Sequence, residues 1–249
     1  MAGQELKAGG AAAAEHSDGG RRRGGRQVIP RPPGVQPGGP PPWSGRPAPA
    51  VRSLPLPVVV DAVRRHVAAP AGVPPQAMRP AAVLVAIYDG DGETRVVLTR
   101  RAAHLRSHRG EVSFPGGRME PGETPEQAAL REASEEVGLD ASTAALVGRL
   151  SPLATRVSGN WLVPVVAALG GPPALLPRPA EVDRAFDVAL VDLVADGTFR
   201  EERWPGPPAA PGGGPSWQPM WFFELPGDTV WGATARVLVE LLTIVLAGS

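Results

Sequence analysis

Cysteine is absent from the chain, and lysine occurs only at Lys7. Without cysteine there is no disulfide bond, no thiolate ligand for zinc and no cysteine nucleophile, so oxygen and imidazole are the metal ligands that remain. The sequence also lacks a run of about 18 or more apolar residues, which a helix needs to cross a membrane. Basic and acidic residues number 25 each, so the net charge favours neither nucleic acid nor a membrane surface as a partner.

Large apolar side chains are scarce in residues 1–50, where Gly, Pro, Ala and Arg predominate. Such a segment buries too little surface to offset the entropy lost on ordering, so we predict a disordered tail over 1–50 and a single folded domain over 51–249. Arginines 21–23 and Arg26 leave open an RNA-binding role for the tail, although a solvated tail is the simpler interpretation. The N-terminus has no apolar stretch of the kind found in secretory signals, and the cytoplasm is the expected location.

The rest of the chain alternates between patterns typical of helices and of strands, which indicates an α/β fold. Apolar residues recur at helical spacing from 54 to 67, and a turn at 89–92 joins two apolar runs as a hairpin. We predict strands at 81–88, 95–99, 145–150, 161–169, 184–188 and 217–224, and helices at 125–137 and 229–246. The density of Pro and Gly over 201–219 predicts a loop without regular structure.

Sequence signals for a helix start and a helix stop bracket residues 125–137. Thr124 is a typical N-cap, Pro125 suits the first helical position, and Gln127 completes a capping box. Gly138 is a typical C-terminal stop, because glycine readily adopts the left-handed conformation there. The segment between these signals is therefore expected to be a single helix.

Three carboxylates crowd one face of this helix. Glu132, Glu135 and Glu136 are spaced i, i+3 and i+4, so they share an arc of roughly 100°. Like charges at this spacing cost a helix about 0.2–0.5 kcal/mol per pair, and Arg131 offsets only part of that cost. A divalent cation would relieve the repulsion, and hard oxygen ligands suit Mg²⁺ or Mn²⁺. A solvated acidic face would explain the same spacing, so the helix alone does not decide between a metal site and a surface.

The loop before the helix extends the acidic pattern into a longer motif. Its specified positions are Gly117, Glu123, Arg131, Glu132, Ala133, Glu135, Glu136, Gly138 and Leu139. Together they resemble the Nudix box of the Nudix hydrolases, with Ala133 where a larger aliphatic residue is common. The resemblance implies an α/β/α sandwich with a mixed sheet, in which water cleaves a nucleoside diphosphate linked to another group. It also implies that the three helix glutamates bind metal and that Arg131 orients Glu123.

A cationic segment lies immediately before the box. Its charged residues are Arg100, Arg101, Arg106 and Arg109, with His104 and His108 between them. Such a cluster at a strand end can bind phosphate groups. The two histidines alone would suggest zinc, but no third ligand is nearby and the arginines repel a cation. A packing role for any single arginine stays open, and it is the cluster that indicates an anion site.

The same segment resembles the motif of the coenzyme A pyrophosphatase branch of the Nudix hydrolases. The resemblance rests on Leu98, Thr99, Arg101, Ala102, Arg106, Gly110 and the Phe-Pro-Gly-Gly sequence over 114–117, with Val97 where the motif has Leu. Segments at 157–166, 180–182 and 230–235 resemble the same branch. This implies that coenzyme A is hydrolysed to 3′,5′-ADP and 4′-phosphopantetheine. Arg101, Arg106 and Arg109 are then the candidates that bind the 3′-phosphate, with Gly116 and Gly117 beside the substrate.

Several choices stay open at this level. The general base is expected on the helix, at Glu135 or Glu136, and Glu181 in a loop is the alternative. ADP-ribose or a dinucleotide is the alternative substrate. A non-catalytic nucleotide-binding module of the same fold is the alternative of another class, although such modules usually lose glutamates from the box and none is lost here. The oligomeric state, including a homodimer, is left open.

Overall fold

A computed structural model describes residues 24–45, 53–68, 77–105, 108–155, 158–206 and 216–247. Its strands are β1 (Gln36–Pro37), β2 (Arg79–Gly90), β3 (Glu93–Arg101), β4 (Val112–Ser113), β5 (Gly116–Arg118), β6 (Ala144–Arg149), β7 (Leu153–Ala154), β8 (Asn160–Leu169), β9 (Val182–Ala189), β10 (Phe199–Gly206), β11 (Ser216–Leu225) and β12 (Asp228–Trp231). Its helices are α1 (Leu56–Arg65), α2 (Pro125–Val137), α3 (Leu190–Val194) and α4 (Gly232–Ala247), with a short 3-10 helix at Ala141–Thr143. Within the described ranges, no helix is long and apolar enough to cross a membrane.

The central sheet is built around β2, which runs parallel to β8 and antiparallel to β3 and β5. β4 and β9 pair with β3, and β6 and β7 pair with β8. Side chains of β2 alternate between two buried clusters: Ala82 and Leu84 pack with residues of α2, whereas Val83 and Val85 pack with residues of α1 and α4. The helices therefore cover opposite faces, and the predicted α/β/α sandwich with a mixed sheet is confirmed.

Most predicted elements are present with shifted bounds. Helix α2 has the predicted bounds, and α1 lies inside the predicted range 54–67. The last helix begins at Gly232 rather than at 229, because residues 229–231 belong to β12. Local caps explain the accurate bounds of α2, whereas the start of the last helix is set by the pairing of β12 with β11, which the sequence pattern did not reveal.

A second sheet has the order β1, β10, β11 and β12, and of its strands only β11 was predicted, as the strand at 217–224. β10 and β11 pair antiparallel along their lengths, so the predicted loop is wrong for residues 201–206 and 216–219. Aromatic side chains stabilise this pair, as the rings of Phe199 and Phe223 meet edge to face at 5.6 Å. The loop was predicted from the density of Pro and Gly residues, which takes no account of contacts between aromatic side chains.

The N-terminal segment is part of the second sheet. The Gly24 N–H donates to the carbonyl of Leu225 at 2.8 Å, and β1 pairs with the edge of β10. Trp43 is 8% exposed, and its ring lies 5.1 Å from that of Phe199. The prediction of disorder over 1–50 is therefore wrong for residues 24–45, and the remainder of that range lies outside the described residues. The average composition of residues 1–50 does not reveal two contacts that order the segment. Trp43 packs on Phe199, and β1 pairs with the accessible edge of β10.

Candidate active site

Helix α2 carries the predicted acidic face, and its caps define where the helix begins and ends. The Thr124 hydroxyl accepts a hydrogen bond from the Gln127 N–H at 3.3 Å, and the Gln127 side chain accepts one from the Thr124 N–H at 2.9 Å. At the other end, Gly138 is left-handed with φ +67°. Ala129 and Ala133 are fully buried, and their small side chains let the helix pack closely on β2 and β5. The alanine that departs from the usual motif therefore has a packing role.

Arg131 connects the loop before α2 to the helix. Its Nε donates to Glu123 Oε1 at 2.7 Å and its Nη2 to Glu123 Oε2 at 3.1 Å, which is a bidentate pair. Its Nη1 donates to Glu132 Oε1 at 3.1 Å, and its Nη2 also donates to the carbonyl of Arg118. Hydrogen bonds from Arg131 and from the Glu120 N–H lower the pKa of Glu123 to about 2. Glu123 is thus held ionised, and the loop is held against the helix.

The carboxylates of Glu132 and Glu136 lie against the backbone of β5. The Gly116 N–H donates to Glu136 Oε2 at 3.1 Å, and Glu136 is only 5% exposed. A Cβ atom at Gly117 would lie 2.5 Å from the carboxyl carbon of Glu132, so this glycine leaves room for that carboxylate. A Cβ atom at Gly116 would lie 2.4 Å from the carbonyl oxygen of Ala82. Gly116 is therefore sterically required for the close approach of β5 and β2, whereas a side chain at Gly117 would displace the Glu132 carboxylate.

Burial perturbs the protonation of both carboxyls. It is the main cause that raises the pKa of Glu136 to about 7. The Gly116 hydrogen bond and the charge of Arg101 oppose this shift, whereas the charges of Glu132 and Glu181 add to it. Burial likewise raises the pKa of Glu132. Because ionised carboxylates are costly in such surroundings, a cation beside these oxygens would lower both pKa values.

Glu181 approaches this site from the loop that precedes β9. Two backbone N–H groups of this loop donate to carbonyls in the last turn of α2, at 2.7 and 2.8 Å. The Glu181 carbonyl accepts a hydrogen bond from the Ala102 N–H at 2.9 Å, which holds the loop against the end of β3. The charge of Glu181 raises the pKa of both Glu132 and Glu136. The fold thus brings this loop glutamate together with two of the helix glutamates.

The remaining predicted residues are less enclosed. The Glu135 side chain is 51% exposed and accepts a hydrogen bond from Arg131 at 3.3 Å. Arg109 is exposed in the turn before β4, and Arg106 lies outside the described residues. Arg101, at the end of β3, has a buried Nε without a hydrogen-bond partner in the described part of the chain. Its charge acts on Glu136, so Arg101 is the described arginine of the cationic segment that lies near the helix glutamates.

The ligand atoms at this site are of the type that Mg²⁺ and Mn²⁺ prefer. Glu132, Glu136 and Glu181 provide carboxylate oxygens whose charges act on one another. No three His, Cys, Asp or Glu side chains among the described residues are grouped closely enough to enclose an ion by themselves. Mg²⁺ commonly takes only one or two carboxylates and completes its shell with water and substrate phosphates. The residues present therefore fit an ion of this kind.

A second group of charged residues near the site was missed by sequence analysis. Asp228, at the start of β12, is 1% exposed and accepts hydrogen bonds from Arg184 and, at 3.3 Å, from Arg100. Arg100 also donates to Asp183 at 2.9 Å. The partners of Asp228 lie 44 and 128 residues away in sequence, so no local pattern could have marked it as buried.

Comparison with known proteins identifies relatives of this chain. Residues 78–209 match the family model described as the NUDIX domain. Nudix hydrolase 22, chloroplastic, from Arabidopsis thaliana is 35% identical over 192 residues, which cover 72% of this chain and 60% of that protein. The Nudix hydrolase NudL from Photorhabdus laumondii is 34% identical over 174 residues, which cover 66% of this chain and 83% of that protein. This chain spans only 48% to 62% of the length of three of the proteins it matches, which are Nudix hydrolase 22, a second protein from Arabidopsis thaliana and one from Caenorhabditis elegans.

Proposed function

Because the chain belongs to the NUDIX domain family, we propose that it hydrolyses the diphosphate bond of coenzyme A or a derivative of it in the presence of Mg²⁺ or Mn²⁺. The products are 3′,5′-ADP and 4′-phosphopantetheine. The observation that carries the proposal is the carboxylate pair Glu132 and Glu136, held against β5 with Glu181 and Arg101 beside it. This arrangement supports hydrolysis of a nucleoside diphosphate derivative, and the choice of coenzyme A depends in addition on the cationic segment over 98–117.

Glu132, Glu135 and Glu136 are the proposed metal ligands. A bound Mg²⁺ or Mn²⁺ would neutralise charge on the diphosphate and acidify the attacking water. Glu132 and Glu136 already lie against β5, whereas Glu135 is paired with Arg131. Arg131 also binds Glu123 and Glu132, so it positions the loop and the first ligand together. We therefore assign Arg131 a positioning role.

The general base is proposed to lie on the helix. Glu136 is held by the Gly116 N–H through one carboxylate oxygen, which limits the orientations of the carboxylate. A carboxylate at this position can accept a proton from water that attacks the diphosphate. Glu135 is the other helix residue that could take this role, and Glu181 is the alternative from the loop. Glu181→Gln tests this choice through the pH–rate profile. If Glu181 is the general base, the fall in rate at low pH that reports its protonation should disappear, and if the base lies on the helix that fall should remain.

Arg101 is the proposed contact to the substrate phosphates. Its Nε is buried and has no acceptor among the described residues, and a buried N–H without a partner is costly. A phosphate oxygen would supply that acceptor, and the guanidinium is suited to bind it. Arg109 is exposed in the neighbouring turn, where it can reach a substrate from solvent. Together with Arg106, these residues are proposed to bind the 3′-phosphate that distinguishes coenzyme A from dephospho-coenzyme A.

A substrate panel tests the proposed function. The full chain is supplied with coenzyme A, ADP-ribose or a diadenosine polyphosphate, in Mg²⁺ and separately in Mn²⁺, and the products are separated by chromatography. We expect coenzyme A to give the highest kcat/KM, with 4′-phosphopantetheine as a product and no turnover in excess EDTA. A higher kcat/KM for ADP-ribose or for the dinucleotide would assign the site to that substrate. No turnover on any of them would favour a non-catalytic nucleotide-binding module.

A further inference from the structure

We propose that Asp228 is a positioning residue: from the second sheet it stabilises a β-bulge that directs Arg101 and Glu181 toward the carboxylates of α2. The proposal rests on the proposed function in one respect, since it takes Arg101 and Glu181 as residues of the active site. Asp228 itself lies in the second sheet, whereas Arg101 ends β3 of the central sheet and Glu181 lies in the loop before β9. Its effect on the site must therefore pass through Arg100 and Arg184, the two arginines that it binds.

Strand β9 contains an irregularity that can be recognised from the direction of its side chains. Val182 packs in the cluster that includes α2, whereas Val188 packs in the cluster on the opposite face. These two residues are separated by an even number of positions, so a regular strand would place both on the same face. The register between β3 and β9 confirms this irregularity, because Arg100 pairs with Arg184 whereas the next residue, Arg101, pairs with Val182. One residue of β9, Asp183, is therefore extra, which defines a β-bulge.

Three ion pairs surround the bulge. Asp228 is bound by Arg100 from β3 and by Arg184 from β9, and Arg100 is also bound by the bulged residue Asp183. The carboxylate of Asp228 is almost fully buried, and the two arginines offset the free-energy cost of burying its charge. The Arg184 guanidinium also lies over the Phe186 ring, 4.5 Å from its centroid. The two arginines are register partners across the strands, and one buried carboxylate holds them together.

The active-site residues follow directly along the chain from this cluster. Arg101 comes immediately after Arg100, and Glu181 comes two residues before Asp183. The Glu181 carbonyl is bound by the Ala102 N–H, which makes the two segments one unit. A shift of register by one residue turns every side chain of a strand to the other face. Loss of the bulge would therefore turn the start of β9 away from α2 and displace Glu181.

The chain offers a matched control for a test of this proposal. Arg95 and Asp187 form an ion pair between the same two strands, β3 and β9, near the opposite end. Asp187→Asn removes a carboxylate from this pair without changing the surroundings of the bulge. Asp228→Asn removes the buried carboxylate, with little change in volume, from the cluster beside the bulge. Both variants lose a carboxylate that binds an arginine of β3, and only Asp228→Asn loses it next to the site.

Two measurements on the full chain distinguish a positioning role from a purely structural one. We expect Asp228→Asn to lower kcat for coenzyme A at least about tenfold, because loss of a residue that orients a site typically has an effect of that size. The kcat of Asp187→Asn should stay within about twofold of the wild type. Amide hydrogen exchange at Ala102 should be at least about tenfold faster in Asp228→Asn and unchanged in Asp187→Asn. In the Glu181→Gln background, Asp228→Asn should lower kcat by a smaller factor, because the part of its effect that passes through Glu181 is already lost and only the part through Arg101 remains.

The outcomes separate this inference from the proposed function. If the wild-type chain does not hydrolyse coenzyme A, exchange at Ala102 still tests whether Asp228 holds the bulge. Wild-type exchange at Ala102 together with wild-type turnover in Asp228→Asn would overturn the inference. Should Asp228→Asn fail to fold, Arg184→Met is the second variant, because the Arg184 side chain is 45% exposed and its loss leaves the Arg100 pair intact. Unchanged kcat and unchanged exchange in Arg184→Met would equally overturn it.

Discussion

The glutamate helix and the second sheet differ in how far apart their contacting residues lie in the sequence. In the helix and its preceding loop, Arg131 binds Glu123, which is eight residues away. Asp228 of the second sheet binds Arg100 of the central sheet, which is 128 residues away. A short motif can specify the first kind of contact, whereas the second kind requires the complete fold. The proposed chemistry is therefore encoded locally, and its alignment depends on distant parts of the chain.

Trp43→Ala tests whether the second sheet can lose stability without loss of the chemistry. Trp43 packs on Phe199 and Phe223, so its truncation should lower the free energy of unfolding by about 3 kcal/mol. Thermal unfolding measures this loss, and Val28→Ala is the control, because Val28 is 94% exposed in the same segment. We expect kcat of the folded variant to stay within about twofold of the wild type. A large fall in kcat would show that the two regions are not separable in this way.

Glu136→Gln is the converse change, in which the chemistry is lost and the fold is retained. It removes one charge with little change in volume and should lower kcat at least about a hundredfold at saturating Mg²⁺. Glu126→Gln is the control on the same helix, since Glu126 binds Arg149 roughly 15 Å from Glu136 along the helix axis. Steady-state kinetics with far-UV circular dichroism measure both properties. Near-normal turnover of Glu136→Gln would contradict its assignment as a metal ligand.

The same division explains what could be predicted from the sequence. The bounds of α2 were predictable because its cap signals lie within a few residues of one another, and the resemblance to the Nudix box implied the contact between Arg131 and Glu123. The burial of Trp43 was not predictable, because its partner Phe199 lies in a distant segment, and the density of Pro and Gly residues concealed the pairing of β10 with β11. The residues at the site follow the same rule, since the three helix glutamates were identified by spacing and Asp228 was not identified at all.

A third comparison of wild type and variant concerns the metal-free protein, in which burial of the Glu136 carboxylate lowers the free energy of unfolding when that carboxylate is ionised. Because burial raises its pKa from an ordinary value near 4.5 to about 7, the unfolded chain releases this proton at lower pH than the folded chain. Stability of the metal-free wild type should therefore fall as the pH rises from about 4.5 to about 7 and then level off. Glu136→Gln should unfold a few degrees above the wild type at pH values above 7 in EDTA. The gap should close near pH 4.5, and a constant gap would show that burial does not perturb Glu136.

The smallest change in stability is expected for Glu123→Gln, because the pKa of Glu123 is lowered rather than raised. Its folded pKa of about 2 lies below the ordinary value of 4.5, so its ionised form stabilises the fold above about pH 4.5. This contribution is lost as the pH falls toward 2. Glu123→Gln should therefore melt below the wild type near neutral pH, and the difference should shrink in acid. A difference that is independent of pH would mean that the charge of Glu123 has no part in its bond with Arg131.

The most direct test of the proposed substrate is the ratio of kcat/KM for coenzyme A to that for dephospho-coenzyme A, measured in the wild type and in Arg101→Ala. A charge-assisted contact to the 3′-phosphate of about 1.5 to 3 kcal/mol corresponds to roughly ten- to a hundredfold in kcat/KM. Arg149→Ala, which changes an arginine that binds Glu126, is the control and should leave the ratio unchanged. We expect the wild type to prefer coenzyme A and Arg101→Ala to lose most of that preference. Equal values for the two substrates in the wild type would contradict the proposal that this site recognises coenzyme A through its 3′-phosphate.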